Sequence, residues 1–343
     1  MKKIKKSVKI ITAVVLVIVL LLASGVIFYL SKLNLIKFSD GKFRWNGSID
    51  TNDSETIDEQ SRMNDAIADL EEKDAIDATG KIYKDKRFLN ILLIGTDEHT
   101  ENFSENARGD SCMIMSVGKK DGSLKLASLE RGMGMPILDG KYKGQYDWLT
   151  HTFRYGGADL MMREVRECFK VDVERYIRVN FATFKKGIEA VGGIDIELTA
   201  AEAGYVNEGT SLKKYTAGLN HLDGEAALVY ARCRHIDSDW HRIERQRNVI
   251  QAVVTKTKEL DIAELNGLLN NVLPLVQTNL TRLEITELLL LAPKYRGVEI
   301  KQMTVPVSGS YGGMRGLGGR SLFSVDFETN SRALREFIYG IKN

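Results

Sequence analysis

Two hydrophobic patterns alternate along the chain. Short apolar runs bounded by turn residues read as buried strands, and stretches with apolar residues three and four apart read as helices. Leu89–Gly95, Ser111–Val117 and Leu124–Leu129 are of the first kind, the last two joined at Lys119-Lys120-Asp121-Gly122, a hairpin-type turn signal. Ala158–Phe169 has the helical period and Tyr176–Val179 is a further strand. Phe181–Val191 reads as a helix, ended by Gly192-Gly193 ahead of the strand Ile194–Leu198. Asp223-Gly224 opens another helical stretch, and Asp239–Glu259 is a long one. Ala263–Val276, Leu283–Leu291 and Ser331–Tyr339 are helices, and Val298–Val305 is a late strand. Strands alternating with helices predict an α/β fold, a mixed central β-sheet flanked by helices.

One apolar run belongs to neither kind. Ile10–Leu30 carries no charge, which is long enough to span a bilayer as one helix. Lys2, Lys3, Lys5, Lys6 and Lys9 precede it, so residues 1–9 are expected in the cytoplasm and everything after the span outside. Cleavage as a signal peptide fits less well, because Ala23-Ser24-Gly25 lies inside the apolar run. Residues 31–87 are expected to form an acidic extracytoplasmic linker or stalk, and residues 88–343 the domain. From Asp50 to Asp77 eleven carboxylates face only Arg62 and Lys73. The first half of this stretch reads as exposed linker. Met63, Ile67 and Leu70 lie near helical spacing, so Gln60–Asp77 is expected to hold a short stalk helix.

Roughly 300 residues outside the span suffice for a large core. The net charge of +2 argues against bulk nucleic-acid binding. Three widely spaced cysteines, Cys112, Cys168 and Cys233, make neither a disulfide framework nor a zinc ribbon. The first two read as core fillers.

Candidate chemistry concentrates in Val229–Val249, VYARCRHIDSDWHRIERQRNV. Arg232 and Arg234 would share one face of an extended segment, and Arg242 and Gln246 one face of a helix. Guanidinium forks match phosphate oxygens and keep their charge, so a pyrophosphate is the natural ligand. Arg247 is expected on the solvent side of that helix. Asp97 follows the first strand of the domain and Asp110, within Asn106-Ala107-Arg108-Gly109-Asp110, precedes the second. Two neighbouring strand ends can bring these carboxylates together to seat Mg²⁺, which takes one or two carboxylates plus phosphates and water. Arg131, in Ser128-Leu129-Glu130-Arg131-Gly132, adds a guanidinium to the same rim. An adhesion role for the Arg-Gly-Asp triplet rests on three residues only. A zinc site on Cys233, His235, Asp237, Asp239 and His241 lacks the usual ligand spacings.

Taken in order, the motifs resemble the LytR-CpsA-Psr proteins of Gram-positive bacteria. The landmarks are NILLIGTD at Asn90–Asp97, RGD at Arg108–Asp110, SLERG at Ser128–Gly132 and HTFRYGG at His151–Gly157. They continue with VGGIDIEL at Val191–Leu198, LNHLDGEAALVYARCRH at Leu219–His235 and RIERQRNVI at Arg242–Ile250. The resemblance covers about Phe88–Lys342 and the N-terminal anchor. It implies a membrane-anchored ligase. Such an enzyme would transfer an anionic glycopolymer, of teichoic-acid or capsule type, from a polyprenyl-pyrophosphate carrier to peptidoglycan, through the muramic-acid 6-hydroxyl. It implies Mg²⁺ on Asp97 and Asp110, and pyrophosphate on Arg108, Arg131, Arg232, Arg234, Arg242 and Gln246. Catalysis would fall to Asp97, Asp110 and Arg131, with either Asp as proton acceptor, and a pyrophosphatase side activity is compatible with the same site. Membrane lipid is an expected partner and nucleic acid is not.

Two positions depart from the family pattern. Gly132 stands where an Asp is usual, and Trp148 where a Lys is frequent. The rival readings are a wall module that binds polyprenyl phosphate without turnover and an envelope-related transcriptional attenuator.

Overall fold

The apolar runs Leu89–Gly95, Ser111–Val117 and Leu124–Leu129 form the middle of a seven-stranded mixed sheet. The structure, a computed structural model, describes residues 32–43, 54–104, 107–234, 236–258, 260–295 and 297–341. In chain order, β1 (Lys37–Phe38) precedes α1 (Ser54–Ile67), β2 (Phe88–Thr96), β3 (Gly109–Gly118) and β4 (Leu124–Leu129). The ribbon β5 (Gly134–Pro136) and β6 (Tyr146–Trp148) leads into α2 (Leu149–Phe169), β7 (Arg175–Asn180) and α3 (Phe181–Ala190). Then come β8 (Ile194–Leu198), α4 (Ala200–Gly209), β9 (Gly218–Leu222), α5 (Gly224–Arg232) and α6 (Asp239–Lys256). The chain continues through α7 (Ile262–Val272), β10 (Gln277–Thr278), α8 (Arg282–Tyr295) and β11 (Lys301–Val305). It closes with β12 (Tyr311–Arg315), β13 (Ser321–Val325) and α9 (Phe327–Tyr339).

The sheet order is β1-β10-β7-β2-β3-β4-β11. β3 runs antiparallel to both β2 and β4, while β2 pairs parallel with β7 and β4 with β11. Alternate residues of each central strand face opposite sides. Leu92, Ile94, Cys112, Ile114, Ala127 and Leu129 pack against α2 and α9. Leu89, Leu93, Met113, Met115 and Leu126 face the other way, toward Ile250 and Val254 of α6 and residues of α8. Both faces are therefore covered by helices. β8 and β9 pair only with each other, so Ile194–Leu198 belongs to a separate ribbon under α4 and α5.

Helix α2 bends at Gly156 and Gly157. Gly157 has φ +68°, and a side chain there would meet the Gly41 carbonyl at 2.2 Å. The glycines thus let the irregular segment after Phe38 cross the helix at Gly41.

From Ser54 onward the acidic segment packs on the domain. Helix α1 begins at Ser54, earlier than expected, and buries Met63 against Trp148, Leu322 and Phe323. The N–H groups of Lys73 and Ile76 donate to the carbonyls of Gly313 (2.9 Å) and Val325 (3.0 Å). Leu33 and Ile36 are buried with Ile91, Leu280 and Ile285. Packing against the domain thus starts at Leu33, well before Phe88. The expected span Ile10–Leu30 lies outside the described residues. Among the described residues no helix is long and apolar enough to cross a membrane.

Candidate active site

The site forms where β2 ends and β3 begins. Gly95 pairs with Ser111 but Thr96 pairs with Gly109, so Asp110 is the extra residue of a bulge. A bulge re-aims the side chain it carries. Here it leaves Asp110 beside the β2 terminus, with Asp97 one residue past that strand. Asp97 accepts the backbone N–H of Arg108 (3.0 Å) and its guanidinium Nε–H (3.3 Å). Asp110 accepts the Thr150 hydroxyl at 3.2 Å. Burial first, then the Asp110 charge, pushes the Asp97 carboxyl above its usual range. Burial would also raise Asp110, but Arg131, Arg108, Arg242 and Arg234 outweigh it and hold that carboxyl low. The pair is thus one relaxed and one strained carboxylate, a state a cation would relieve. Among the described residues no group of three His, Cys, Asp or Glu converges as a metal cage. Two carboxylates suit a hard cation that takes its remaining oxygens from substrate and water.

Helix α6 aims its N-terminal turns at this edge. Asp239, Arg242 and Gln246 are three and four apart and so share a face. Asp239 accepts Arg131 Nε–H at 3.0 Å and Arg242 Nε–H at 3.2 Å. Arg242 also donates to the Asp110 carbonyl at 3.1 Å, and Gln246 accepts the Ser111 hydroxyl at 2.9 Å. Arg131, buried behind them, contacts Glu59 of α1 at 2.7 Å and Asp110 at 3.7 Å. These acids keep Arg131 firmly protonated despite its burial.

Arg232 is the last residue of α5 and Arg234 lies in the loop after it, so the expected extended segment is corrected. The α5 pattern EAALVYAR is helical through Arg232, and only Cys233 breaks it. The two arginines nevertheless reach one cavity. Arg232 lies 4.3 Å over the Phe181 ring. Burial, then repulsion from Arg131 and Arg242, lowers the pKa of Arg234. Neither has an acidic partner within ion-pair distance among the described residues. That contrasts with Arg245, which pairs with Glu202 at 2.6 Å and with Asp237.

Behind the two arginines runs a cavity of about 240 Å³ between the sheet and helices α3, α5 and α6. Its mouth carries Asp110, Arg232, Arg234, Arg242 and Gln246. Its walls are apolar, with Leu93, Met113, Ile177, Phe184, Leu228 and Val249. The sequence left these apolar positions unassigned, because each looks like ordinary core. Arg131 lies outside this lining, in a second cavity that also touches Arg234.

One further correction follows, and other positions find their roles. Arg247 is buried and donates to Gln302 (2.8 Å) and Thr304 (2.7 Å), so it is not on the solvent side of α6. Trp148 is fully buried, its indole N–H donating to the Ser321 carbonyl at 2.8 Å, so that position is structural. His151 pairs with buried Asp147 at 3.0 Å, alongside Arg320. Asp237, one proposed zinc ligand, is occupied by Arg245. Cys112, Cys168 and Cys233 are free and buried. Glu59, Glu130 and Asp239 escaped sequence reading as members of the site. Asp239 alone carried a signal, its three- and four-residue spacing to Arg242 and Gln246.

Comparison with known proteins places this arrangement. The LytR_cpsA_psr family model matches residues 51–333, beginning in the acidic segment before α1. A polyisoprenyl-teichoic acid–peptidoglycan teichoic acid transferase TagU of Enterococcus faecalis is 34% identical over 180 residues, 51% of this chain and 56% of that protein. The TagU of Bacillus mycoides is 32% identical over 209 residues, 60% of this chain and 64% of that one. The matches thus span less than two thirds of these relatives. Among solved structures, B. subtilis TagV superposes with a TM-score of 0.60 at 24% identity, covering 74% of this chain and 98% of TagV. A structure described as TagT bound to LIIa-WTA gives 0.58 at 22% identity, covering 78% and 97%. These likenesses show the fold.

Proposed function

The chain belongs to the LytR-CpsA-Psr family, and from that premise we propose that it is an extracytoplasmic phosphotransferase. It would move an anionic glycopolymer from a polyprenyl-pyrophosphate carrier to peptidoglycan. The observation that carries this reading is the apolar cavity ending at two guanidiniums, Arg232 and Arg234, with no acidic partner at ion-pair distance among the described residues. A lipid chain suits the walls, and a multiply charged phosphate suits the mouth. The transferases named among its relatives act on polyisoprenyl-linked teichoic acid, which agrees with this chemistry.

Arg232, Arg234 and Arg242 would hold the pyrophosphate in line with the acceptor, with Gln246 hydrogen-bonding to it. Arg131, fixed by Glu59 and Asp239, would face the charge that develops on the oxygens of the attacked phosphorus. Arg108 positions Asp97. Asp97 and Asp110 would hold Mg²⁺, which when bound supplies charge neutralisation between the two phosphates. The acceptor oxygen forms a bond to the phosphorus bearing the glycopolymer, and the bond from that phosphorus to the bridging oxygen breaks. Polyprenyl phosphate leaves with the electron pair. The pyrophosphate bond drives the reaction, so no nucleotide is needed outside the cell.

The test is transfer from a purified lipid-linked donor to peptidoglycan. Asp97→Ala and Asp110→Ala should each lower magnesium-dependent transfer by at least 100-fold, of the order seen when one group aimed at transition-state charge is removed. Full turnover of either variant, or equal turnover of the intact chain in a chelator, would remove the metal from the mechanism. Donor binding without transfer by the intact chain would favour the wall-module reading.

A further inference from the structure

The second cavity, of about 360 Å³, is lined by Arg131 and shares Arg234 with the first. Helix α1 forms one wall with Glu59, Met63 and Asp65, and the start of α6 another with Asp239 and Trp240. Glu130 and Phe323 complete it. The two cavities share Arg234, so an occupant of the second would meet the phosphates held in the first.

Glu130 is 1% exposed. Its Oε1 accepts the Gly132 N–H at 3.2 Å, and its Oε2 is buried with no hydrogen-bond partner among the described residues. An unpartnered carboxylate oxygen at this depth is costly unless something fills the space before it. The neighbouring carboxylates differ in this respect. Glu59 contacts Arg131, Asp239 contacts Arg131 and Arg242, and Asp237 contacts Arg245. Glu130 alone of these four is left to receive a proton or a hydroxyl. Trp240 is half-buried, its ring 5.7 Å from Tyr311 and 6.1 Å from Phe323. A braced aromatic face beside carboxylates and guanidiniums suits a sugar ring, whose C–H faces are apolar and whose rim is hydroxyl.

We propose that this cavity is the acceptor subsite, taking a saccharide ring against Trp240 with the attacking hydroxyl on Glu130. The inference rests on the donor reading above. In the step, the hydroxyl oxygen bonds to the glycopolymer's phosphorus and its proton passes to Glu130 Oε2. Polyprenyl phosphate departs with the electrons of the broken P–O bond. Glu130 then releases the proton to water. Asp97 and Asp110 are left to the metal, and the proton acceptor stands on the acceptor's side of the arginines.

The groups facing Glu130 set its titration. Burial first, then the Asp239 charge, pushes its carboxyl up to about 7, while Arg242 and Arg131 pull it down. Glu59 of α1 and Arg234 line the same space. A proton acceptor near neutrality is well matched to its task.

The experiment compares the full chain with Glu130→Gln and Trp240→Ala, using a lipid-linked donor and a soluble peptidoglycan disaccharide. The glutamine can still accept the Gly132 N–H, so the fold should survive, and donor binding by titration checks it. Glu130→Gln should lower transfer by roughly 10²- to 10⁴-fold, the span expected for losing a proton acceptor. It should also abolish the fall in transfer rate below pH ~7 expected of the wild type, which a merely structural role would not do. Trp240→Ala should raise the KM for the saccharide far more than it lowers kcat. Wild-type transfer rates in Glu130→Gln, or a retained acid limb, would overturn the proposal. So would a Trp240→Ala variant whose saccharide KM is unaltered. A wild type that binds no lipid donor would instead remove the donor reading, and this inference with it.

Discussion

At the scale of residues, the decisive distinction is between arginines with and without an acid. Arg245 and Arg131 have theirs, while Arg232 and Arg234 wait at the cavity mouth. Replacing either of the latter by Ala should weaken polyprenyl pyrophosphate binding by roughly 10- to 150-fold, since a charge-assisted hydrogen bond contributes ~1.5–3 kcal/mol. Polyprenyl monophosphate should lose far less, and titration with both lipids decides it. Equal losses for both lipids would mean diffuse charge attraction. Arg247→Ala, by contrast, should leave lipid binding nearly intact and cost ~1–3 kcal/mol of stability, measured by denaturant unfolding. It empties a buried place bonded to Gln302 and Thr304. Spacing could tell that Arg242 and Gln246 share a face. It could not tell which side of α6 is solvent, because β11 covers that side from 55 residues away. Glu130 adds a pH dependence. Its folded pKa, pushed up to about 7, exceeds the ordinary 4.5, so the fold prefers the protonated form. Stability from this group is complete below ~4.5 and is lost as pH rises through ~7. Glu130→Gln should flatten that decline, which unfolding curves across pH 4.5–8 would register.

At the scale of elements, the central strands were legible because a strand covered on both faces is largely apolar, and Leu89–Gly95 and Leu124–Leu129 depart from that only at Asn90, Lys125 and Ser128. Helix α5 was legible from Asp223, which caps it by accepting the Ala226 N–H at 2.8 Å. The ribbon β12–β13 was not, because GGMRGLGG resembles a loop and its pairing is supplied by contact with α1 and β5. Helix α1 was legible only in its second half, from Met63 and Ile67 at helical spacing. The turns before Gln60 have the composition of a solvated linker, and among the residues of described burial Glu59 and Met63 are the buried ones. Gly132 explains how it fits. A β-carbon at residue 132 would lie 2.7 Å from Met63 Sδ. Glu59, one turn before Met63, reaches Arg131. The absent side chain at Gly132 and the inward face of α1 are therefore fitted to each other. Gly132→Asp should accordingly push α1 outward and destabilise the protein by ~1–3 kcal/mol through overpacking. Met63→Ala in the same chain should recover part of that loss by making room. Thermal unfolding of the single and double variants tests the coupling, and simple additivity would refute it.

At the scale of the whole molecule, packing on the domain begins close to the N-terminal apolar run. If Ile10–Leu30 spans the bilayer, as its length and flanking lysines lead us to propose, Leu33 is already packed in the domain core three residues later. β1 then joins the sheet edge through Lys37 and Phe38. The domain would be held close to the lipid surface, where a polyprenyl chain must leave the bilayer for the cavity. A long acidic tether would have allowed the domain to float. The observed packing removes that freedom and so reduces the cost of orienting the cavity toward the membrane. Inserting a flexible Gly/Ser segment of ~20 residues at Ser31 would restore a reach of about 25 Å. Transfer from a donor embedded in vesicles should then fall several-fold. Transfer from a short-chain donor in solution should not change, because both cavities and α1 lie beyond the insertion. Equal retention with both donors would show that proximity to the bilayer contributes nothing. Equal loss with both would show instead that Leu33 and Ile36 matter only as core, through Ile91, Leu280 and Ile285.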